Sequence, residues 1–114
     1  MMTKDQIEIN LRQYCGTEQY WTNDVLCFSY TDGVKEMWEM CEAYWLLTTI
    51  SSYRRKEQFQ IWELKKTGTS AVLTMKEDSD EPVLVRQKIE YTDFPLDEIK
   101  LYLIDGVLLL TSEY

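Results

Sequence analysis

The sequence predicts a two-layer α+β domain, with N-terminal helices packed on an antiparallel sheet of four to five strands. Three observations carry this expectation. Apolar residues recur at helical spacing through the first half of the chain. From Gln58 onward, short β-prone runs alternate with turn residues. Asp105-Gly106 lies between two apolar runs, the strongest short-range hairpin signal a sequence offers. The 114 residues show no repeat, linker or low-complexity segment and are read as one domain spanning 1–114. A chain of this length buries roughly 65% of its unfolded surface, enough to fold without disulfides or a structural metal.

The elements follow in order. Thr3 can cap a first helix, and Gln6 three residues later completes a capping-box pattern. Ile7, Leu11 and Tyr14 then share one helical face, and Gly16 offers a left-handed residue to end the helix. Val25 to Tyr30 is apolar and β-prone, a short strand. Thr31 or Asp32 starts a second helix by accepting from its first free amides. Val34, Met37, Trp38, Cys41 and Trp45 form the buried stripe of that helix. The helical pattern continues through Leu46, Leu47 and Ile50 to Tyr53, with a bend near Glu42-Ala43. Arg54-Arg55-Lys56 then puts positive charge at the negative helix end.

Phe59–Leu64 and Ala71–Met75 flank a hairpin turn, Lys66-Thr67-Gly68-Thr69. Glu77–Glu81 is a polar turn, and Pro82 opens a strand in which Val83, Val85, Gln87, Ile89 and Tyr91 share one face. Leu101–Ile104 and Val107–Leu110 make the last hairpin. These two strands are apolar on both faces, whereas a sheet covered on one side alternates apolar with polar residues. Either a helix or loop covers the second face, or two subunits pack sheet to sheet as a homodimer through this C-terminal hairpin.

Charge and residue usage bound the chemistry. With 20 Asp and Glu against 12 Lys and Arg, the net charge is −8, and there is no histidine. That excludes Ser-His-Asp and Cys-His catalysis, His-ligated zinc and an imidazole proton shuttle. Cys15, Cys27 and Cys41 are odd in number and lack CxxC spacing, so they read as reduced and mostly buried thiols of a cytoplasmic protein, Cys41 in the core and Cys15 and Cys27 at most partly exposed. The N-terminal residues are polar where a signal peptide is apolar, and no apolar run is long enough to span a bilayer. Neither a cofactor nor a metal site is expected.

Most of the negative charge lies in one stretch. Between Glu77 and Glu98 stand eight acids against Arg86 and Lys88, a local −6. Such a field disfavours direct nucleic-acid contact and favours a protein with a basic surface. Glu77, Asp78, Asp80, Glu81, Asp93, Asp97 and Glu98 are therefore the candidate partner-binding acids. Asp78-Ser79-Asp80-Glu81 lacks the ligand spacing and central Gly of a calcium loop. Asp93 and Asp97 could instead serve as an acid–base pair in a cleft, or a thiol as a nucleophile, though no partner group stands near them in the sequence. In Thr92-Asp93-Phe94-Pro95-Leu96, the structural reading is a capped turn that anchors a crossover between strands. Tyr20-Trp21, outside any helical stripe, is the candidate exposed aromatic anchor; Trp38, Trp45 and Trp62 read as core. Basic patches are confined to Arg54-Arg55-Lys56 and Lys65-Lys66.

Several strings occur in a recognisable order: Gly16-Thr17-Glu18-Gln19-Tyr20-Trp21, Thr31-Asp32-Gly33-Val34, Tyr44-Trp45-Leu46-Leu47, Ile89 through Leu96, and Gly106 through Tyr114. Together they resemble an uncharacterised family of small bacterial proteins catalogued as a domain of unknown function. Many members place Pro before the terminal Ser-Glu-Tyr, where this chain has Thr111. The resemblance implies a single bacterial or phage-type domain and carries no reaction or ligand. The leading expectation is a small acidic, non-catalytic protein-binding module, with an inhibitor of a bacterial defence nuclease (an anti-CRISPR or similar protein) as its specific form. The rivals are a small enzyme or small-molecule binder using Asp93, Asp97 or a thiol, and a structural homodimer.

Overall fold

The computed structural model describes residues 3–114. Helix α1 (Lys4–Arg12) begins at the capping box read from the sequence: the Thr3 side chain accepts from the Gln6 amide, and the Gln6 side chain accepts from the Thr3 amide. Ile7 and Leu11 form its buried face, and Tyr14 is half-buried beyond its end. The helix closes on Gln13 in an ordinary right-handed conformation, and Gly16 is not left-handed, which corrects that expectation.

The long second helix is two helices, α2 (Asp32–Cys41) and α3 (Tyr44–Ser52). The bend anticipated near Glu42-Ala43 is a full break. Glu42 takes a left-handed φ of 52°, and the Ala43 amide turns back to the Trp38 carbonyl. Ala43 is wholly buried in the resulting corner, where only a small side chain fits.

The sheet is larger than predicted and mixed rather than antiparallel. Its seven strands are β1 (Tyr20–Trp21), β2 (Ser29–Thr31), β3 (Phe59–Thr67), β4 (Ser70–Lys76), β5 (Val85–Ile89), β6 (Glu98–Ile104) and β7 (Val107–Leu110). Their order is β1-β2-β7-β6-β3-β4-β5. Strand β2 runs parallel to β7, with Tyr30 opposite Leu108, and every other pair is antiparallel. The apolar run from Val25 enters the sheet only at Ser29. Leu26 and Phe28 are buried in the loop before it. Strand β5 is shorter than its apolar pattern: Val83 precedes it, and Tyr91 lies beyond it, exposed. The Asp105-Gly106 hairpin is as read, with φ of 50° and 80° at its two turn residues, the type I′ pattern. Gly68 supplies the positive φ of the β3–β4 turn.

The three helices lie on one face of the sheet. Against them pack Trp62, Leu64, Leu73, Met75, Leu101, Leu108 and Leu110, all buried, together with the wholly buried Phe94 of the β5–β6 crossover. Trp38 and Trp45 are half-buried at the margin of this core rather than inside it, and Cys41 is buried. The alternate residues of the same strands point to the other face, which no helix among the described residues covers.

Candidate interaction surface

The uncovered face can be laid out row by row from the strand register. At one end, Phe59, Ile104 and Val107 align across β3, β6 and β7; the next row is Lys76, Ile61, Tyr102 and Leu109. These six apolar residues are all half-buried, packed on one another and open to solvent above. Tyr114, after the 3₁₀ turn Thr111–Glu113, folds back so that its ring meets Phe59 and Tyr102 at centroid distances of 6.0 and 5.2 Å. Thus a loop covers part of the doubly apolar hairpin, while Tyr114 itself stays 75% exposed.

The other half of the face is ionic. One row reads Arg86, Thr74, Glu63, Lys100, and the next Lys88, Val72, Lys65, Glu98. With Lys76 this makes five cations against two carboxylates on the face of a chain whose net charge is −8. Glu63 stands opposite Lys100 and Glu98 opposite Lys65 across the strands, and Glu63 is in an ion pair with Lys65 at 3.7 Å. Among the described residues Lys76, Arg86, Lys88 and Lys100 are in no ion pair, and the positive excess is widest on Lys76, Arg86 and Lys88, which have no carboxylate opposite them in the register. Sequence reading missed this patch because its members come from four strands at every second position. Only the strand register could have joined them.

The acidic stretch is not one surface. Glu77, Asp78, Asp80 and Glu81 sit in the loop before β5, whereas Asp93 and Asp97 follow it, with Glu98 opening β6. Five residues of extended chain hold the two groups about 17 Å apart. All seven are exposed. Asp97 pairs with Lys4 at the start of α1, and the hydrogen bond from that ammonium holds its carboxyl below the usual aspartate range. In the first loop Asp78 accepts from the Ser79 amide at 2.6 Å, which fixes the turn. No carboxylate there is in an ion pair among the described residues. The loop leans over the uncovered face, where Ser79 joins Ile61, Glu63, Thr74, Lys76 and Lys100 around a small hollow of about 50 Å³.

Tyr20 and Trp21 part company. Tyr20 is 65% exposed and shares a shallow hollow with Ile104, Val107 and Leu109 on the uncovered face. Trp21 points the opposite way; its indole N–H donates to Asp32 Oδ1 at 2.8 Å, and Lys35 Nζ sits 4.8 Å from its ring centroid. It belongs to a junction at the start of α2 that gathers three of the strings noted above. Thr31 caps the helix, and Asp32 accepts from Trp21 and from the Glu18 amide. These bonds, the indole's first, hold the Asp32 carboxyl below its ordinary range. Glu113 reaches back from the C-terminal turn to accept from the Thr31 hydroxyl at 2.6 Å, the Gly33 amide at 3.2 Å and the Leu110 amide at 2.9 Å. A carboxylate at a helix N-terminus is favoured by the free amides and by the helix dipole. Gly33 is required there, because a Cβ would stand 2.6 Å from Glu113 Oε1 and 2.7 Å from Leu110 Cδ1.

The groups proposed for catalysis are dispersed. Asp93 is exposed, and Asp97 is committed to Lys4. A groove of about 360 Å³ between α1 and the free part of β6 is lined by Glu8, Glu63 and Glu98 but by neither aspartate. Thr92 accepts from the Phe94 amide, and Lys66 donates to the Phe94 carbonyl, so the Thr92–Leu96 segment is a plug for the core. Burial pushes the Cys41 thiol up to about 12, out of the nucleophilic range. Cys15 and Cys27 are exposed free thiols, which corrects the expectation that the thiols are mostly buried, since both lie in loops outside the helical stripes; the described residues hold no cluster of three potential metal ligands. No helix among them is long and apolar enough to cross a membrane.

Fold and surface thus define a small two-layer α+β protein with one face of its mixed sheet uncovered. The chain belongs to DUF6876, a family of unknown function, whose family model matches residues 5–114. No curated protein and no solved structure matches it.

Proposed function

We propose that this chain is a non-catalytic protein-binding module that docks a basic surface through the acids of the β4–β5 loop. The observation that carries this reading is the state of Glu77, Asp78, Asp80 and Glu81. They are exposed, they lie outside any ion pair among the described residues, and they are mounted on a loop that leans over an uncovered sheet face. Carboxylates left in water keep their full field for a partner, and like charge on a short loop steers encounter. Asp93, Asp97 and Glu98, at the far end of β5, form a second and weaker negative site, because Asp97 is already paired with Lys4.

In its specific form the partner is the nucleic-acid channel of a bacterial defence enzyme, which an acidic protein of this size would occupy in place of phosphates; charge and size support this version. Three unpaired cysteines fit a cytoplasmic setting. Affinity capture from the native host, or from its phage-infected cells, tests the reading, with wild-type bait beside a variant carrying Glu77→Lys, Asp78→Lys, Asp80→Lys and Glu81→Lys. A basic protein held by the wild type in low salt, released by high salt and lost with the variant is the expected result. Capture indifferent to both salt and charge reversal would overturn it.

A further inference from the structure

The sheet is incomplete at one place in its interior, and we propose that a partner protein completes it. An extended segment, carrying an apolar residue followed by a lysine or arginine, adds as a strand to the free half of β6 beside α1. This inference goes beyond the docking role of loop 77–81 and does not depend on it.

Strand β6 pairs with β3 along its whole length, from Glu98 opposite Lys65 to Ile104 opposite Phe59, but with β7 only from Leu101 to Ile104. Glu98, Ile99 and Lys100 therefore have a strand on one side and none on the other, about 10 Å of free edge. The ladder fixes where their backbone groups point. In an antiparallel pair, residues that bond one neighbouring strand alternate with residues that face the other way. The Asp97 carbonyl accepts from the Lys66 amide at 2.7 Å on the β3 side. Glu98 and Lys100 thus direct their amides and carbonyls to the open side, and those of Glu98 meet no backbone partner among the described residues. The opening is the groove of about 360 Å³ along α1. Leu11, Leu96, Ile99 and Leu110, all buried, supply its apolar lining.

The chain's own tail shows what chemistry suits this edge. If β7 continued in register beyond Leu110 opposite Leu101, Glu113 would fall opposite Glu98, and like charges directly across a ladder are unfavourable. The tail turns away at Thr111 instead, and Glu113 goes to Thr31 and Gly33. The complement is a cation opposite Glu98. That carboxylate is exposed and outside any ion pair among the described residues, because Lys65 across from it is paired with Glu63. The occupant runs antiparallel to β6, the direction in which one residue bonds both the amide and the carbonyl of Glu98. Its preceding residue then falls opposite Ile99, on the side of Leu11 and Leu110, where an apolar side chain fits. In strand addition of this kind, main-chain hydrogen bonds give affinity and alternate side chains give specificity.

Backbone amide NMR on the isotope-labelled whole chain, titrated with the blocked peptide acetyl-Thr-Thr-Val-Lys-Thr-Thr-amide, tests the proposal. Saturable shifts centred on the Glu98 and Lys100 amides are expected, with a dissociation constant of about 0.1 mM. Methylation of the peptide's lysine amide nitrogen removes the donor to the Glu98 carbonyl and should weaken binding about tenfold. Glu98→Lys, at an exposed position, should weaken binding of this peptide about fivefold and favour the Val-Glu peptide in its place, a reversal that misfolding does not produce. Asp78→Lys with Asp80→Lys should leave binding unchanged. Shifts that do not saturate by about 1 mM overturn the proposal, as does binding indifferent to the N-methyl group or to the charge swap. Shifts centred on residues 77–81 and lost with Asp78→Lys and Asp80→Lys overturn the strand site and leave the loop as the docking element.

Discussion

The α2 junction and the β4–β5 loop both concentrate carboxylates, yet they use them in opposite ways. At the junction, Asp32 and Glu113 accept hydrogen bonds from an indole, a hydroxyl and three amides, so their charge serves the chain's own backbone. In the loop, Glu77, Asp78, Asp80 and Glu81 face water, and only Asp78 is engaged, with its neighbour Ser79. The difference separates charge that holds the fold from charge that is available to something else. It also moves the distinctive strings of the sequence to the structural side: the Gly16–Trp21, Thr31–Val34 and Ser112–Tyr114 segments meet at one helix start, and Thr92–Leu96 plugs the core.

The sharpest break of that contrast is Gly33→Val. A larger side chain at the junction displaces Glu113 and Leu110 together, and chemical denaturation should report a loss of about 3 kcal/mol. Gly33→Ala is the finer probe. The gain of about 1 kcal/mol in helix propensity opposes an overpacking cost of about 1–3 kcal/mol, so a net loss is expected, smaller than for valine. Glu113→Ala comes next, at about 2 kcal/mol, because the Gly33 and Leu110 amides lose their acceptor in a partly buried site. Glu113→Gln, which keeps an acceptor oxygen, should recover part of that loss. If Glu113→Ala costs nothing, the junction is not what holds the C-terminal turn.

Asp32→Asn sharpens the comparison through pH. The native carboxyl titrates below its ordinary range, so the stability it confers is present above the unfolded-state value and is lost as pH falls through the lower native one. Wild type should exceed the variant at neutral pH, and the gap should close under acid conditions. A gap that persists in acid would mean the charge of Asp32 is irrelevant. In the loop, Asp80→Lys with Glu81→Lys should change stability by no more than about 0.5 kcal/mol, since both side chains are exposed and neither carboxylate accepts a hydrogen bond among the described residues, unlike Asp78. The smallest effect concerns the thiols. Native protein should react rapidly with a thiol reagent at Cys15 and Cys27 only, with Cys41 joining after unfolding; a fast third thiol would show that the corner between α2 and α3 opens readily.

What could be read from the sequence was what local chemistry decides. The Thr3–Gln6 capping box, the type I′ turn at Asp105-Gly106, the turn at Gly68 and the helix start at Thr31 each depend on residues within one turn of chain, and each formed as expected. Strand β1 was out of reach, and β2 was legible only as the earlier run Val25 to Tyr30. Two and three residues long, they pair with each other and join the sheet through β2 against β7, and no local pattern announces a parallel partner so far along the chain. The same limit governed the surface. The acids were visible as a run, but a five-residue strand carries them to opposite ends of the sheet. The cations were invisible as a patch, because β-register rather than sequence adjacency collects them.

The place of β7 bears on how the molecule comes into being. This strand is the splice between an N-terminal fragment, β1-β2, and a C-terminal fragment, β6-β3-β4-β5, and the Glu113 side chain closes onto Thr31 across 82 residues of sequence. A nascent chain that has emerged only as far as Ile104 has the β6 edge open, and the segments of β1 and β2 have no strand of the main sheet to join. Closure of the sheet is thus a late, long-range event, slow by the rule that distant contacts must first meet their loop entropy. Until it occurs, the growing chain exposes the unpaired edge of β6, a surface open to pairing with other chains.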